Sequence, residues 1–336
     1  MKHQALRFLR RFTGFAAVLT FAAAFGAAGA AEWPERPITL LVPFNAGGSV
    51  DRMARGLAPY LSKSLGQPVT VVNRPGAGGQ VGTTWFLQQP DDGYTLLLTP
   101  AMPYIATNIL VTGAKYTLDD FAFVNAQWSD YTMLAVHKDK PYQSLKDLID
   151  AIKANPGKLS TGVTFGSAGQ ISTMMLLEAF GIPADGVRVV TYDGGGPVRT
   201  ALAGGHLDFS VLQGEGSETV REFIRPLAVF REDRAKEWDA PTINEALKGM
   251  GTGMDVLSGS VRVVASSAEF RKKNPKGFER LTAAYKQALE NEEYRAWLAK
   301  NKIGDDWVGP EKTTARLKTN FEILKKYQHL LKKRKK

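Results

Sequence analysis

Short apolar runs typical of β-strands alternate with amphipathic runs typical of α-helices along most of this 336-residue chain. The strand-type runs lie at residues 38–42, 69–72, 95–98, 121–125, 133–136, 187–191, 207–212 and 227–230. Most of the gaps between them hold helix-type runs with apolar residues spaced by about 3.6 positions, as at 50–65 and 145–154. Such alternation is typical of parallel or mixed sheets whose faces are covered by helices. The sequence therefore predicts an α/β fold with mixed sheets flanked by helices, and a mainly helical C-terminal region after Phe270.

The chain is long enough to form two hydrophobic cores, since 44% of its residues are apolar and single cores stop growing at about 250 residues. No low-complexity linker divides it, so we expect the chain to cross between two lobes more than once, near residues 129–132 and 228–231. We assign residues 31–131 and 230–324 to a discontinuous first lobe and residues 132–229 to a second lobe. Residues 325–336 form a basic C-terminal tail.

The first 30 residues have the composition of a signal peptide. Four basic residues, at positions 2, 7, 10 and 11, precede an apolar stretch at 12–25, and Ala28-Gly29-Ala30 fits a signal peptidase site. The stretch is too short for a membrane span, which needs about 20 apolar residues. The absence of cysteine agrees with an oxidising compartment and excludes disulfides. The sequence therefore predicts a periplasmic protein that is exported with loss of residues 1–30.

A formal net charge of +10 would suit a nucleic-acid-binding protein if the charge lay on the fold. Four of the positive residues precede the apolar stretch of the signal peptide, however, and seven more lie among the last twelve residues, 325–336. The rest of the chain is close to neutral, so no basic groove is expected across the fold. We therefore expect no nucleic-acid partner.

Two glycine-rich breaks follow the first two strand-type runs, and each precedes a helix-type run. The first comprises Phe44, Asn45, Ala46, Gly47, Gly48 and Ser49, and the second includes Gly76, Ala77 and Gly78. In α/β domains, a loop that leads from a strand to a helix N-terminus presents unpaired N–H groups that attract anions. The pattern predicts that both loops bind one anionic ligand, and an ordinary pair of strand-to-helix turns is the alternative. Asp51 and Arg74, which lie beside the loops, are expected to be structural, since a carboxylate is favoured in the first turn of a helix.

The glycine loops belong to a longer series of collinear motifs. These are PITLLVPFNAGGSVD at 37–51, LGQPV at 65–69, NRPGAGG at 73–79, DGYTLL at 92–97, SLKDL at 144–148, NPGKL at 155–159, YDGGGP at 192–197 and GGHLD at 204–208. In order and spacing they resemble the periplasmic solute receptors of tripartite tricarboxylate transporters, also called Bordetella uptake gene receptors. The resemblance implies a periplasmic binding protein of the type II kind, a clamshell whose lobes close on a small carboxylated organic anion. It also implies delivery of that solute to integral membrane permease subunits, and we expect a monomeric receptor.

The second lobe is expected to supply the other side of the site. The resemblance places an anion-binding loop at Thr164, Phe165, Gly166 and Ser167, where the family's run of adjacent hydroxyls is interrupted. Tyr192 would provide a flat wall and a hydroxyl, and Gln213 stands near the family's amide position. Leu212 stands near the position of an expected acid, which favours a ligand without an amino group unless Glu215 takes that role.

Other functions fit the residues less well. A serine hydrolase centred on Ser167 would need a positioned histidine and an acid, and His137, His206 and His329 do not form such a pattern. No residue cluster has metal-ligand spacing, and neither glycine loop has a nucleotide-binding pattern. We therefore expect no catalysis, metal or cofactor. A periplasmic solute sensor that presents its bound state to a signalling partner is the main alternative to transport.

Overall fold

The computed structural model describes residues 33–192, 194–257 and 259–331. The predicted signal peptide and the last five residues of the predicted basic tail lie outside these ranges. The strands are β1 (Ile38–Val42), β2 (Val69–Asn73), β3 (Thr95–Pro100), β4 (Phe121–Ser129), β5 (Thr132–His137), β6 (Ser160–Thr164), β7 (Arg188–Tyr192), β8 (Phe209–Gln213), β9 (Ile224–Phe230) and β10 (Val261–Ser267). The α-helices are α1 (Ser49–Leu65), α2 (Gln80–Leu87), α3 (Ala106–Leu110), α4 (Leu145–Ala154), α5 (Ala168–Ala179), α6 (Gly195–Ala203), α7 (Ile243–Lys248), α8 (Ala268–Lys273), α9 (Pro275–Glu290), α10 (Glu292–Lys300) and α11 (Pro310–Lys326).

Two five-stranded mixed sheets organise the two lobes. In the first sheet the order is β2-β1-β3-β10-β4, with β1, β2 and β3 parallel and β10 antiparallel to both of its neighbours. In the second sheet the order is β7-β6-β8-β5-β9, with β6, β7 and β8 parallel and β5 antiparallel to both of its neighbours. The predicted α/β fold with two lobes is confirmed.

Both faces of each sheet are covered. Successive residues of a strand point to opposite faces, and in β1 Leu40 and Leu41 enter two different core clusters. In β5, Met133 and Leu134 do the same in the second sheet. Strands that are buried on both faces need apolar residues at every position, which explains why these runs lack a polar alternation.

Helix α1 sets the position of the first glycine loop. Its residues Met53, Leu57 and Leu61 follow helical spacing and are fully buried in the core beside the first sheet. The helix ends where Gly66 takes a left-handed conformation with φ 73°. At its other end, no side chain caps the helix at Gly48, so its first N–H groups are left for other partners.

The stretch between β9 and β10 packs on the second lobe. Ile243 and Leu247 of α7 are fully buried in the core that holds Phe230 of β9. Thr242, just before α7, pairs with Val229 in an isolated bridge. This packing differs from the sequence-based division, which assigned residues 230–324 to the first lobe. The difference arises because the apolar residues of this short helix show that one face is buried but do not indicate which of the two sheets it packs on. The other proposed boundaries remain a prediction.

The C-terminal segment continues as packed structure beyond residue 325. Lys326 pairs with Asp255 at 2.7 Å, and Tyr327 donates a hydrogen bond from its hydroxyl to the same carboxylate at 3.0 Å. His329 contacts Glu178 of α5 at 2.6 Å, so this segment joins α11 to the second lobe. None of the helices in the described part of the chain has the length and apolar content needed to span a membrane.

Candidate functional site

The parallel strands of both sheets end on the same side, at the junction between the lobes. In the first sheet β1, β2 and β3 end there, and β10 begins beside the end of β3. In the second sheet β6, β7 and β8 end there, and Thr132 of β5 pairs with Gln213 of β8. Only Asp130 and Tyr131 separate β4 from β5, so the two edges adjoin. Ligands of open α/β sheets bind at the carboxyl ends of parallel strands, which makes this junction the candidate site.

Asp51 holds the first glycine loop in shape. Its carboxylate accepts hydrogen bonds from the N–H of Gly47 at 2.8 Å and from Asn73 Nδ2 at 2.9 Å, and it pairs with Arg55 Nε at 2.9 Å. Burial alone would raise the pKa of Asp51, but the bonds from Arg55, Gly47 and Asn73 outweigh it and lower the pKa. Gly47 takes φ +81°, a conformation that favours glycine. Asp51 therefore supports the loop, and its contacts agree with the structural role expected from the sequence.

The two glycine loops of the first lobe lie side by side. Asn73 Nδ2 also donates to the carbonyl of Phe44 at 3.0 Å, and Asn108 Nδ2 donates to the carbonyl of Gly78 at 3.3 Å. The ring of Phe44 meets Tyr104 edge-on, with centroids 5.3 Å apart. Arg74 points away to α2, where its guanidinium stacks on Trp85. Seven of the predicted residues are exposed along these loops: Asn45, Ala46, Gly47, Gly48, Gly76, Ala77 and Gly78.

The predicted loop of the second lobe touches the first lobe. Thr107 Oγ1 lies 3.5 Å from the carbonyl oxygen of Gly166, to which it donates. Ser167 is buried, and its Oγ accepts the N–H of Gln170 at 3.2 Å, so this hydroxyl caps α5. Phe165 stands out of the loop with 48% of its surface exposed. The loop therefore presents an exposed ring at the junction, whereas Gly166, Ser167 and the first residues of α5 are buried.

Three further predicted residues end the parallel strands of the second sheet. Thr164 of β6 and Tyr192 of β7 are paired neighbours. The ring of Tyr192 packs against a core cluster of the second lobe that includes Leu202. Gln213 ends β8, and its Oε1 would lie 2.7 Å from a Cβ placed on Gly195, the first residue of α6. All three therefore lie on the strand edge at the junction, although Tyr192 uses its ring for packing.

A buried arginine that the sequence analysis did not identify lies between these loops. Arg262, at the start of β10, is 6% exposed, and its Nη2 lies 3.0 Å from Asp130 Oδ2 and 3.4 Å from Ser49 Oγ. The guanidinium carbon lies 3.8 Å from the ring centroid of Trp128. Its Nε is buried and has no hydrogen-bond partner among the described residues. The sequence does hold a signal for this site, which is a single arginine inside the apolar run at 261–265. Because a buried charge needs a partner, such an arginine indicates a buried polar contact.

Trp128 extends this set of contacts into the second lobe. Its indole N–H donates to Glu215 Oε2 at 2.6 Å, and Glu215 follows the end of β8. Burial raises the pKa of Glu215, and the nearby Asp130 carboxylate acts in the same direction. Burial also raises the pKa of Tyr104, which lies near Arg262, to about 12, so its phenol is neutral at physiological pH. We call Ser49, Trp128, Asp130, Glu215 and Arg262 the junction cluster.

No group of three or more histidine, aspartate or glutamate side chains in the described ranges is arranged to hold a metal ion. The described side chains at the junction supply hydrogen-bond donors, a buried ion pair and aromatic faces. Such an arrangement suits non-covalent recognition of a polar solute.

Comparison with known proteins places these features in a family. Residues 53–335 match the family described as Tripartite tricarboxylate transporter family receptor. The chain is 35% identical over 222 residues to protein BugT of Bordetella pertussis, and the aligned region covers 63% of this chain and 66% of BugT. It is 33% identical over 304 residues to the UPF0065 protein in the gbd 5' region of Cupriavidus necator, and the aligned region covers 87% of this chain and 88% of that protein.

Solved structures show the same fold. The periplasmic binding protein BugD aligns with a TM-score of 0.70 at 24% identity, over 90% of this chain and all of BugD. Rpa4515 of R. palustris, solved with adipate, aligns with a TM-score of 0.70 at 25% identity, over 89% of this chain and 98% of its own. MatC of Rhodopseudomonas palustris, solved with bound malate, aligns with a TM-score of 0.69 at 22% identity, over 89% of this chain and 100% of its own.

Proposed function

This chain belongs to the tripartite tricarboxylate transporter receptor family, and we propose that it is a periplasmic receptor that captures a small carboxylate between its lobes and delivers it to a membrane permease. The observation that carries the proposal is that a helix of each lobe begins at the edge of its sheet that faces the junction. Helix α1 begins there after Gly48 and α6 begins there after Gly194, and no side chain of the described residues caps either start. Unpaired N–H groups at such ends, together with the helix dipole, favour a bound carboxylate.

The proposed ligand contacts come from both lobes. In the first lobe they are the exposed amides of the two glycine loops together with the hydroxyl of Ser49. In the second lobe they are the loop at 164–167 with Tyr192 and Gln213 beside it. Neutral donors form several modest hydrogen bonds to a carboxylate, which permits release when the lobes separate. The adipate and malate found in two relatives of the same fold support a carboxylate as the ligand class.

The connections between the lobes support opening and closing. The chain crosses once at Asp130–Tyr131 and returns near Gly259 and Ser260, which hydrogen-bond to the backbone of Asp130. Two adjacent crossings can act as a hinge, because few backbone dihedrals need to change. We propose a monomeric, non-catalytic receptor, in which Ser167 serves as a helix cap rather than as a nucleophile.

Ligand binding is tested by the melting temperature of the purified protein after bound solute has been stripped by unfolding and refolding. A panel of carboxylates is compared, each with its neutral amide, because a ligand specific to the native state raises stability by mass action. A shift with an acid and none with its amide supports the proposal. The absence of a shift with every acid, in a protein shown to be folded, would contradict it.

Delivery to a permease is tested in cells. Uptake of the carboxylate identified in the melting experiment is measured in the parent strain, in a strain that lacks this receptor and in a complemented strain. The proposal expects uptake to fall in the deletion strain and to return on complementation. Binding in vitro with unchanged uptake in the deletion strain would instead favour a sensing role.

A further inference from the structure

Arg199 lies on the second lobe's edge of the junction. It belongs to the second turn of α6, and its side chain reaches back towards the start of that helix. A Cβ placed on Gly195 would lie 3.4 Å from Arg199 Nη1, and one placed on Gly216 would lie 3.8 Å from the same nitrogen and from the guanidinium carbon. Gly195 follows β7 and Gly216 follows β8, so the guanidinium lies between two loops at the carboxyl ends of parallel strands.

No contact with another described residue neutralises the charge of Arg199. Within the described residues its guanidinium makes no ion pair or hydrogen bond, and Glu218 acts on it only at a longer distance. Partial burial lowers the pKa of Arg199, because the charged guanidinium loses part of its hydration there. By contrast, the buried Arg262 pairs with Asp130, and Lys140 pairs with Asp208 at 2.6 Å.

A cation that is partly removed from water without a partner is poised to bind an anion. The guanidinium can approach the backbone of both loops because Gly195 and Gly216 carry no side chain. Gln213 Oε1 also lies close to Gly195, so the surroundings of the guanidinium include a second polar group. A guanidinium is suited to a planar carboxylate because it can donate two parallel hydrogen bonds.

We propose that Arg199 binds a second anionic group of the solute, so that the receptor selects dicarboxylates over monocarboxylates of the same length. The inference rests on the proposed carboxylate-binding function. One carboxylate of the solute occupies the glycine loops of the first lobe, and the other pairs with Arg199 in the second lobe. A solute held in this way bridges the two lobes, and its second charge stabilises the closed form.

The test uses calorimetric titration of stripped wild-type protein and of Arg199→Gln and Arg199→Lys. The probes are the linear dicarboxylates from malonate to suberate, together with malate, and the monocarboxylates of equal carbon number. Arg188→Gln is the matched control, because Arg188 is exposed at the opposite end of β7. The melting temperature of each ligand-free variant shows whether the fold is retained.

The wild-type protein is expected to bind its best dicarboxylate about tenfold or more tightly than the matched monocarboxylate. Arg199→Gln should remove this preference by weakening the dicarboxylate alone, Arg199→Lys should retain part of it, and Arg188→Gln should change nothing. Wild-type binding with no preference for the second charge, or equal losses for both ligands in Arg199→Gln, would overturn the inference and leave the proposed function standing. Failure of the wild-type protein to bind any acid in the panel would overturn both.

Discussion

The indole N–H of Trp128, at the end of the first sheet's outer strand, donates to Glu215 of the second lobe at 2.6 Å. Trp128 also stacks on Arg262, which contacts Ser49 of the first glycine loop. A continuous set of contacts therefore runs from one side of the proposed site to the other. A change at Glu215 can act on the relative position of the lobes as well as on the local charge.

The stability contributed by Glu215 is expected to decrease as the pH rises. Burial raises its pKa in the folded protein, so the folded state holds the proton to a higher pH than the unfolded chain does. This contribution is fully present below the unfolded pKa of about 4.3 and is lost as the pH rises through the folded value. Glu215→Gln mimics the protonated form. The melting temperature of Glu215→Gln minus that of wild type should increase from pH 4 to pH 8.

The control is Glu222→Gln, because Glu222 is an exposed glutamate in the same region. The pH trend of Glu215→Gln is measured relative to this variant, which makes the same chemical change on the surface. A constant difference between Glu215→Gln and this variant would show that Glu215 is not held in a desolvated position.

Breaking the buried ion pair is expected to cost more than breaking any surface pair. Arg262→Met leaves Asp130 buried without its cation, and loss of one partner of a buried pair costs about 3–5 kcal/mol. Urea denaturation measures this loss as a lower midpoint. Arg271→Met, which breaks an exposed pair with Glu311, should cost at most about 1 kcal/mol. The double variant Arg262→Met with Asp130→Leu should recover part of the loss, and no recovery would indicate that the two charges act independently.

Local patterns were enough to find most elements and the first-lobe loops. The helix-type run at 50–65 became α1 (Ser49–Leu65), and the run at 145–154 became α4 with the same bounds. Both boundaries are set by residues within a few positions: Gly66 stops α1, and Ser144 caps α4 by accepting the N–H of Asp147. Such signals do not depend on the rest of the fold.

The junction cluster depends on contacts that no local pattern carries. Strand β10 lies between β3 and β4 in the first sheet, yet Arg262 interrupts its apolar run, and the run was not among the predicted strands. The arginine is tolerated because Asp130 lies beside it, 132 positions earlier in the chain. Arg199 was hidden for a similar reason: in sequence it is an ordinary charged residue of a helix, and only the approach of Gly216 shows where it points.

Loss of the Asp51 carboxylate is expected to loosen the first glycine loop. Asp51→Asn weakens bonds to Gly47, Asn73 and Arg55 and should cost about 1–3 kcal/mol at pH 7. Since the folded pKa of Asp51 is lowered, its contribution is present above the unfolded pKa of about 3.9 and is lost as the pH falls through the folded value. Urea midpoints of Asp51→Asn and wild type should therefore converge below pH 4. Asp150→Asn, at an exposed helical pair with Lys146, is the control and should lose little at pH 7.

A side chain at Gly48 is expected to block ligand binding and leave the fold intact. Gly48 has φ −69° and ψ 169°, which any residue can adopt, and a Cβ there would meet only the carbonyl oxygen of Asn45 at 3.4 Å. Gly48→Leu should therefore melt close to wild type while filling the space in front of the first N–H groups of α1.

The matched control is Gly249→Leu, since Gly249 has φ −68° at the end of α7 and a Cβ there would lie 3.9 Å from the carbonyl oxygen of Ala246. Titration with the best acid of the panel should show at least a tenfold loss for Gly48→Leu and none for Gly249→Leu. Unchanged affinity in a folded Gly48→Leu protein would remove the first loop from the binding site.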